Sequence, residues 1–419
     1  MTFSTSTFLV CVLLLLIQVL AALPWVLLAF VNREDMLLKL GKLKNSTSSA
    51  NPLSLWLLRR IAVALVGVLV SSLVFASTVS ASGTLEGIGY LYGVILQLQL
   101  LADAFIVLFT LLLWIWPKGA AIALAAFREG IRQPMFWLLF GAAFLAMTIS
   151  PLIPYFTFGE DHLVVKDIGY DTIMLVAVVF GALAASMSIS EEIEGRTAVT
   201  LMSKPVSRRQ FLLGKFLGIV LASSVLFALL GTYFEGVNLF THWWDKMDPE
   251  PVPLWVMATL EKWALPGEAT DLLRGLGLWT HLTLDTVPGL ILGFSQVMVL
   301  VAIAVSLATR VPMVVNLIVV LVVFFLAHLT PVLVSIGYQA QATNPGAAVS
   351  QILYFMAQLF DLFLPNLESF RLEPALLNDT PIGPGDFAKY LGSVSLYGVL
   401  YTSIVLLFGL ILFEDRDLA

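Results

Sequence analysis

Ser190-Glu-Glu-Ile-Glu-Gly195-Arg-Thr-Ala-Val-Thr-Leu-Met-Ser-Lys-Pro205-Val-Ser-Arg-Arg-Gln-Phe-Leu-Leu-Gly214-Lys215 separates two apolar runs, Ile173 to Ile189 and Phe211 to Tyr233. An apolar run of roughly 20 residues crosses the hydrocarbon layer as a helix, because each residue rises about 1.5 Å. A charged stretch between two such runs is therefore a surface turn joining two spans. Its own chemistry predicts a knuckle. Thr197 to Met202 suits a short amphipathic helix, Pro205 stops it by removing an N–H and restricting its predecessor, and Ser207 caps the helix that follows.

The whole chain agrees with that reading. Of its 419 residues, 59% are hydrophobic and only 12% charged, and the mean hydropathy is +0.95. Soluble domains carry about 25% charged residues. The expected fold class is an all-α integral membrane protein with about nine transmembrane helices. The expected spans are Phe8 to Val31, Ile61 to Val79, Leu91 to Trp116, Met135 to Phe156, Ile173 to Ile189, Phe211 to Tyr233, Val287 to Leu307, Val311 to Leu333 and Val394 to Phe413. The fifth is the shortest and has room to begin near Asp171. Met1 to Thr7 carries no positive charge and the run after it is long, so it reads as a retained span rather than a secretory signal.

Orientation follows from Lys and Arg in alternate loops. Sixteen of them fall on the side that holds Arg59, Arg128, Arg208, Arg310 and Arg416, against six on the other. That side is expected to be cytoplasmic, with the amino terminus outside and the carboxyl terminus inside. Two long outer loops are expected. Glu235 to Asp285 carries Trp243, Trp244, Trp255, Trp263 and Trp279, which favours helices lying at the outer interface. Gly337 to Ser393 contains Ile352 to Leu364, too short to span and closed by Pro365, which suits a re-entrant or interfacial helix. Ala120 to Gln133 reads as a helix along the cytoplasmic interface. Asn45 to Asn51 reads as a flexible loop.

The opening stretch resembles the signature loop of ABC type-2 transporter permeases: an acidic residue and Glu-x-Gly, a Leu-containing turn, Ser-x-Pro-Val-Ser-Arg and Gly-Lys. The resemblance covers about Ala120 to the end and implies a six-span permease core, residues 120–419, preceded by a three-span region, residues 1–119. In that core Ala120 to Gln133 matches the elbow helix, the coupling loop is 190–210, and the outer loops are 235–285 and 337–393. Leu364-Pro365-Asn366-Leu-Glu-Ser-Phe370 resembles the subgroup that includes permeases of nitrous-oxide reductase maturation. The resemblance further implies that the knuckle docks on a separate ATPase subunit. Glu191, Glu192, Glu194, Gly195, Arg196, Pro205, Ser207, Arg208, Arg209 and Lys215 are then the coupling residues, with charges of both signs for orientation. It also implies a second permease copy or paralogue beside surrounding membrane lipids, a cell inner (plasma) membrane location, and transport, in the export direction, of lipids, glycolipids, drugs or polymers.

Several chemistries are excluded or weakened. Gly214-Lys215 is followed by Phe216 and lacks the upstream glycine of a phosphate-cradling loop, so the chain has no ATP site of its own; ATP and Mg belong to the partner ATPase. Neither H-E-x-x-H nor G-x-S-x-G occurs, which leaves no catalytic candidate. The one cysteine, Cys11, and the scattered His162, His242, His281 and His328 give no ligand spacing, so no metal is expected. No basic stripe suggests nucleic acid. Asp103 and His328 are the intramembrane polar candidates. They leave open an ion-coupled carrier, although no internal repeat supports one. Asp103 fits a hydrogen bond to a neighbouring helix or a place on a solute path. Force transmission to an extracytoplasmic partner, or a plain membrane scaffold, are the remaining alternatives.

Overall fold

The computed structural model describes residues 5–24, 66–74, 82–153, 161–190, 192, 207–244, 254–263, 267–344, 347–372 and 384–414. The protein is an all-α membrane protein, with no strand among the described residues. The helices are α1 (Thr5–Ala21), α2 (Ser82–Ile115), α3 (Pro117–Arg132), α4 (Pro134–Ile149), α5 (Asp161–Ala185), α6 (Arg208–Trp244), α7 (Leu254–Trp263), α8 (Gly267–Ala308), α9 (Met313–Thr343), α10 (Ala348–Phe363) and α11 (Pro384–Glu414). Residues 66–74 are also helical. Among the described residues, 7 helices are long and apolar enough to cross a membrane, at the places of the third to ninth expected spans. The first expected span is described only to residue 24 and the second only over 66–74.

The loop boundaries differ from the sequence expectation. Span five begins at Asp161, and the stretch from Glu235 to Asp285 is helical over most of its described residues: α6 runs on to Trp244 and α8 already starts at Gly267, with α7 between them in sequence. The physical reason is pairing. Lys166, Asp171, Arg274 and Asp285 look like span-ending charges, yet Lys166 bonds Asp285 at 2.5 Å, Asp171 bonds Arg371 at 2.7 Å, and Arg274 lies 3.7 Å from Glu86. Pro288 also stays inside α8. At about 1.5 Å per residue its 42 residues extend roughly 60 Å, twice a hydrocarbon layer. As expected, a short helix, α10, ends just before Pro365. It packs back on α9, where a Cβ on Gly337 would lie 2.7 Å from that of Ala357 and Tyr338 meets Tyr354 edge-on.

The chain forms two compact units, Met1–Leu111 with Asp248–Thr283, and Leu112–Met247 with Leu284–Ala419. In the first, Cys11 and Leu14 of α1 pack with Leu272, the Tyr92 hydroxyl donates to the Leu14 carbonyl at 2.7 Å, and Trp279 donates to Gln97 at 2.8 Å. Two glycines set the helix crossing there: a Cβ on Gly275 would fall 1.9 Å from the Glu86 carbonyl oxygen, and one on Gly89 2.1 Å from that of Leu272.

The second unit has its own core. Phe136, Phe180, Phe211, Phe234 and Phe413 are fully buried, with Phe136 edge-on to Phe180 and Phe211 stacked on Phe413. Helix α3 is amphipathic and buries Gly119, Ala120, Ala123, Ala126 and Gly130. That small-residue face lies on α6. A Cβ on Gly218 would sit 2.4 Å from the Ala123 carbonyl oxygen, and one on Gly214 2.9 Å from that of Gly119. Glycines four residues apart bring two helix backbones this close.

Candidate functional site

The close α3–α6 crossing delivers Glu129 to Lys215. Lys215 follows Gly214 on α6, and its side chain is only 6% exposed. An ammonium has three donors and is costly to bury unless they are used. Here Nζ donates to Glu192 Oε1 at 2.6 Å and to Ser188 Oγ at 2.8 Å, and Glu129 Oε2 lies 3.7 Å away. Ser188 in turn donates to Glu129 Oε2 at 3.4 Å. One lysine thus ties α3, the chain leaving α5 and α6 at a single joint.

Ser188 reaches this joint because α5 does not end as a regular α-helix. Residues Ser186–Ser190 form a π turn, and its serines serve three different neighbours. Ser186 donates to the Ala182 carbonyl at 2.9 Å and accepts from Asn316 Nδ2 at 2.8 Å. Ser190 Oγ lies 2.9 Å from the Ala308 carbonyl oxygen and 3.0 Å from that of Val311, where α8 ends. Asn316 also donates to the Ala304 carbonyl at 3.0 Å, which completes a buried polar seam between α5, α8 and α9.

The far end of the loop is fixed in another way. Ser207 Oγ accepts the Gln210 N–H at 3.2 Å while Gln210 Oε1 accepts the Ser207 N–H at 3.2 Å, a reciprocal cap on α6. Arg208 donates to the Phe413 and Glu414 carbonyls at 2.9 and 2.7 Å and lies over the Phe413 ring. A cation on the last carbonyls of α11 satisfies groups that have no partner within the helix. Arg209 bonds the Glu414 carboxylate at 3.2 Å.

The sequence-derived coupling residues therefore fall into three sets. Glu192 and Lys215 come together in the joint. Ser207, Arg208 and Arg209 form the α6–α11 clasp. Glu191, Glu194, Gly195, Arg196 and Pro205, with the expected Thr197 to Met202 helix, lie outside the described residues. Sequence reasoning missed Glu129, Ser188 and Asn316 as parts of the site. It also missed Gln210, although Ser207-x-x-Gln210 is a legible capping pattern.

The two intramembrane candidates do not make a relay on their own geometry. His328 Nδ1 lies 2.8 Å from the Phe324 carbonyl oxygen, which can only accept, so Nδ1 carries hydrogen and Nε2 accepts from the Gln296 amide at 2.9 Å. Both ring nitrogens are thereby engaged. Asp103 belongs to the other compact unit, is 6% exposed, and neither of its carboxylate oxygens has a hydrogen-bond partner among the described residues. Among the described residues there is also no group of three or more His, Cys, Asp or Glu able to hold a metal ion.

A comparison with protein families matches residues 120–418 to the ABC-2 family transporter protein family. The match covers more than half of the chain, begins within α3 and includes the joint and the clasp. A comparison with curated proteins finds no match. The chain belongs to the ABC-2 transporter family, as a membrane permease component.

Proposed function

From that membership we propose that the chain couples ATP hydrolysis in a separate ABC ATPase subunit to the movement of a substrate across, and out of, the cell inner membrane, working as a pair of permeases. The residue 190–210 loop docks on the ATPase, and the end of the bundle that carries Lys215 faces the cytoplasm. The observation that supports this most directly is the Lys215 joint. The loop leaves α5 through Glu192 and re-enters α6 near Lys215, and the 2.6 Å bond between them closes it at its base. Glu129 brings the elbow helix into the same contact. A displacement of the loop by a partner is therefore passed to three helices at once. Polar groups interlocked around one buried cation transmit such shifts because alternative arrangements are few.

Co-expression of the tagged chain with the ATPase encoded beside it tests this reading. Co-purification and stimulated ATPase turnover are expected for the wild type. Glu192→Ala with Arg208→Ala is expected to keep the chain in the membrane and to lose most of the stimulation. A wild-type chain that captures no ATPase would remove the coupling proposal. The ion-coupled alternative draws no support from His328, whose imidazole is held as one tautomer by two neighbours.

A further inference from the structure

Within the first unit, the contacts between α1 and α2 ascend both helices together: the Tyr92 hydroxyl donates to the Leu14 carbonyl, and further along Gln18 Nε2 donates to Gln99 Oε1. Asp103 follows Gln99 by one helical turn, on the same face of α2. From Asp103 to the end of α2 at Ile115 is about 18 Å at the rise of a helix, which puts the carboxylate near the middle of a hydrocarbon layer roughly 30 Å thick. Both Asp103 oxygens are buried with no donor among the described residues. So is Gln18 Oε1, because Gln99 engages only the nitrogen of that amide. Gln99 thus links three orphaned acceptor oxygens, holding Gln18 on one side and preceding Asp103 by a turn on the other.

Neither helix supplies a charge to match the carboxylate. Helix α1 contains no charged residue, and the only one on α2 besides Asp103 is Glu86, about 25 Å away along the axis and beside Arg274. A carboxylate withdrawn from water at mid-membrane is costly unless a positive charge or several donors compensate it. The ligand atoms decide which positive charge fits. Carboxylate and amide oxygens are hard ligands that suit hard cations, whereas transition metals favour nitrogen and sulfur. A divalent ion beside one carboxylate would keep an uncompensated charge in the membrane, and a monovalent ion would not. We propose that Asp103 and Gln18, with Gln99 holding the Gln18 amide, form a binding site for one alkali-metal cation of the sodium class. The bound ion bridges α1 and α2 inside the membrane and so strengthens the docking of the first helix.

This proposal concerns the chain alone and stands apart from the ATPase-coupled reading. The test follows thermal unfolding of the full-length chain in phosphatidylcholine nanodiscs against sodium chloride, calcium chloride or N-methylglucamine chloride at matched ionic strength. Retention of radioactive sodium by the discs is the second measurement. Saturable stabilisation by sodium and retained sodium are expected, with no stabilisation by N-methylglucamine. Asp103→Asn keeps the shape of the side chain and removes its charge. It is expected to abolish both sodium responses while the melting temperature in N-methylglucamine stays level or rises, since an uncompensated buried charge is gone. Gln18→Leu removes the amide oxygen and is expected to raise the half-saturating sodium concentration at least about tenfold, the size of one contact to a charged group. If Asp103→Asn does not fold, Gln18→Leu decides. Equal unfolding in sodium and N-methylglucamine, saturation by calcium below the sodium range, a sodium response that Gln18→Leu leaves unchanged, or stabilisation by acidification in place of sodium, the mark of a bound proton, would each overturn the proposal.

Discussion

The two ends of α5 use the same side-chain chemistry for opposite purposes. At Ser186–Ser190 a lysine and two carboxylates close on one another with a serine between them, and the lysine is almost wholly withdrawn from solvent. At Lys166 and Asp171 two ion pairs are formed as well, but they face a cavity, and their side chains remain between 21% and 49% exposed. The cation separates the roles: Lys215 is 6% exposed, while its partners Glu192 and Glu129 remain 24% and 44% exposed. A cation withdrawn from solvent can only hold helices together, whereas cations that line a space keep contact with water.

Removing the lysine is the strongest way to break this contrast. Lys215→Met removes the donor to Glu192 and Ser188, and because the carboxylates left behind are 24% and 44% exposed, water offsets part of a loss of about 2 kcal/mol. Lys215→Met is expected to lower the unfolding midpoint clearly and to abolish ATPase stimulation at temperatures where the variant stays folded. Gly218→Ala comes next. Its methyl would lie 2.4 Å from the Ala123 carbonyl oxygen and 2.6 Å from the Ala126 Cβ, so α3 must move away from α6. Overpacking of this kind costs about 2 kcal/mol. Gly141→Ala, with nothing within 4 Å, is the matched control and is expected to be neutral or slightly stabilising. Equal melting temperatures for the Gly218 and Gly141 variants would show that the α3–α6 contact does not hold the joint.

Much of this architecture was legible in the sequence. Apolar runs marked the seven described spans, since a helix in lipid must be apolar over about 20 residues whatever its neighbours. Ser207 as a cap and the break before Pro365 followed from local backbone chemistry. Span ends were misplaced at Asp161 and Gly267 because a charge reads as a boundary unless its partner is known, and the partners Asp285, Arg371 and Glu86 are distant in sequence. Gly214-Lys215 was visible as a motif, but its partner Glu129 was not. That pairing depends on the glycine-mediated crossing of α3 over α6, a tertiary fact.

The cavity end is expected to respond less to the same kind of change. Arg371→Met removes a guanidinium from Asp171, but with side chains 33% and 49% exposed water can replace much of the contact. The cost is expected to be about 1 kcal/mol, read as a small shift in thermal unfolding. Wild-type-like ATPase stimulation is expected, because the strap 364–372 keeps its tyrosine anchors, Tyr390 and Tyr401. A loss of stimulation as large as that of Lys215→Met would erase the distinction between the two ends.

Arg209→Ala is expected to do least. Its pair with Glu414 is 71% and 49% exposed at 3.2 Å, a geometry worth roughly 0.5 kcal/mol or less and screened by salt. Arg208 beside it is different in kind, since it holds two main-chain carbonyls at the end of α11 and lies over the Phe413 ring. The pair of substitutions therefore separates a structural clasp from a docking charge. If Arg209→Ala leaves unfolding unchanged yet weakens capture of the ATPase more than Arg208→Ala does, Arg209 offers its charge outward and Arg208 only positions the helix. If both variants capture the ATPase like the wild type, the docking contacts lie elsewhere in residues 190–210, and the two arginines serve only to join α6 to α11.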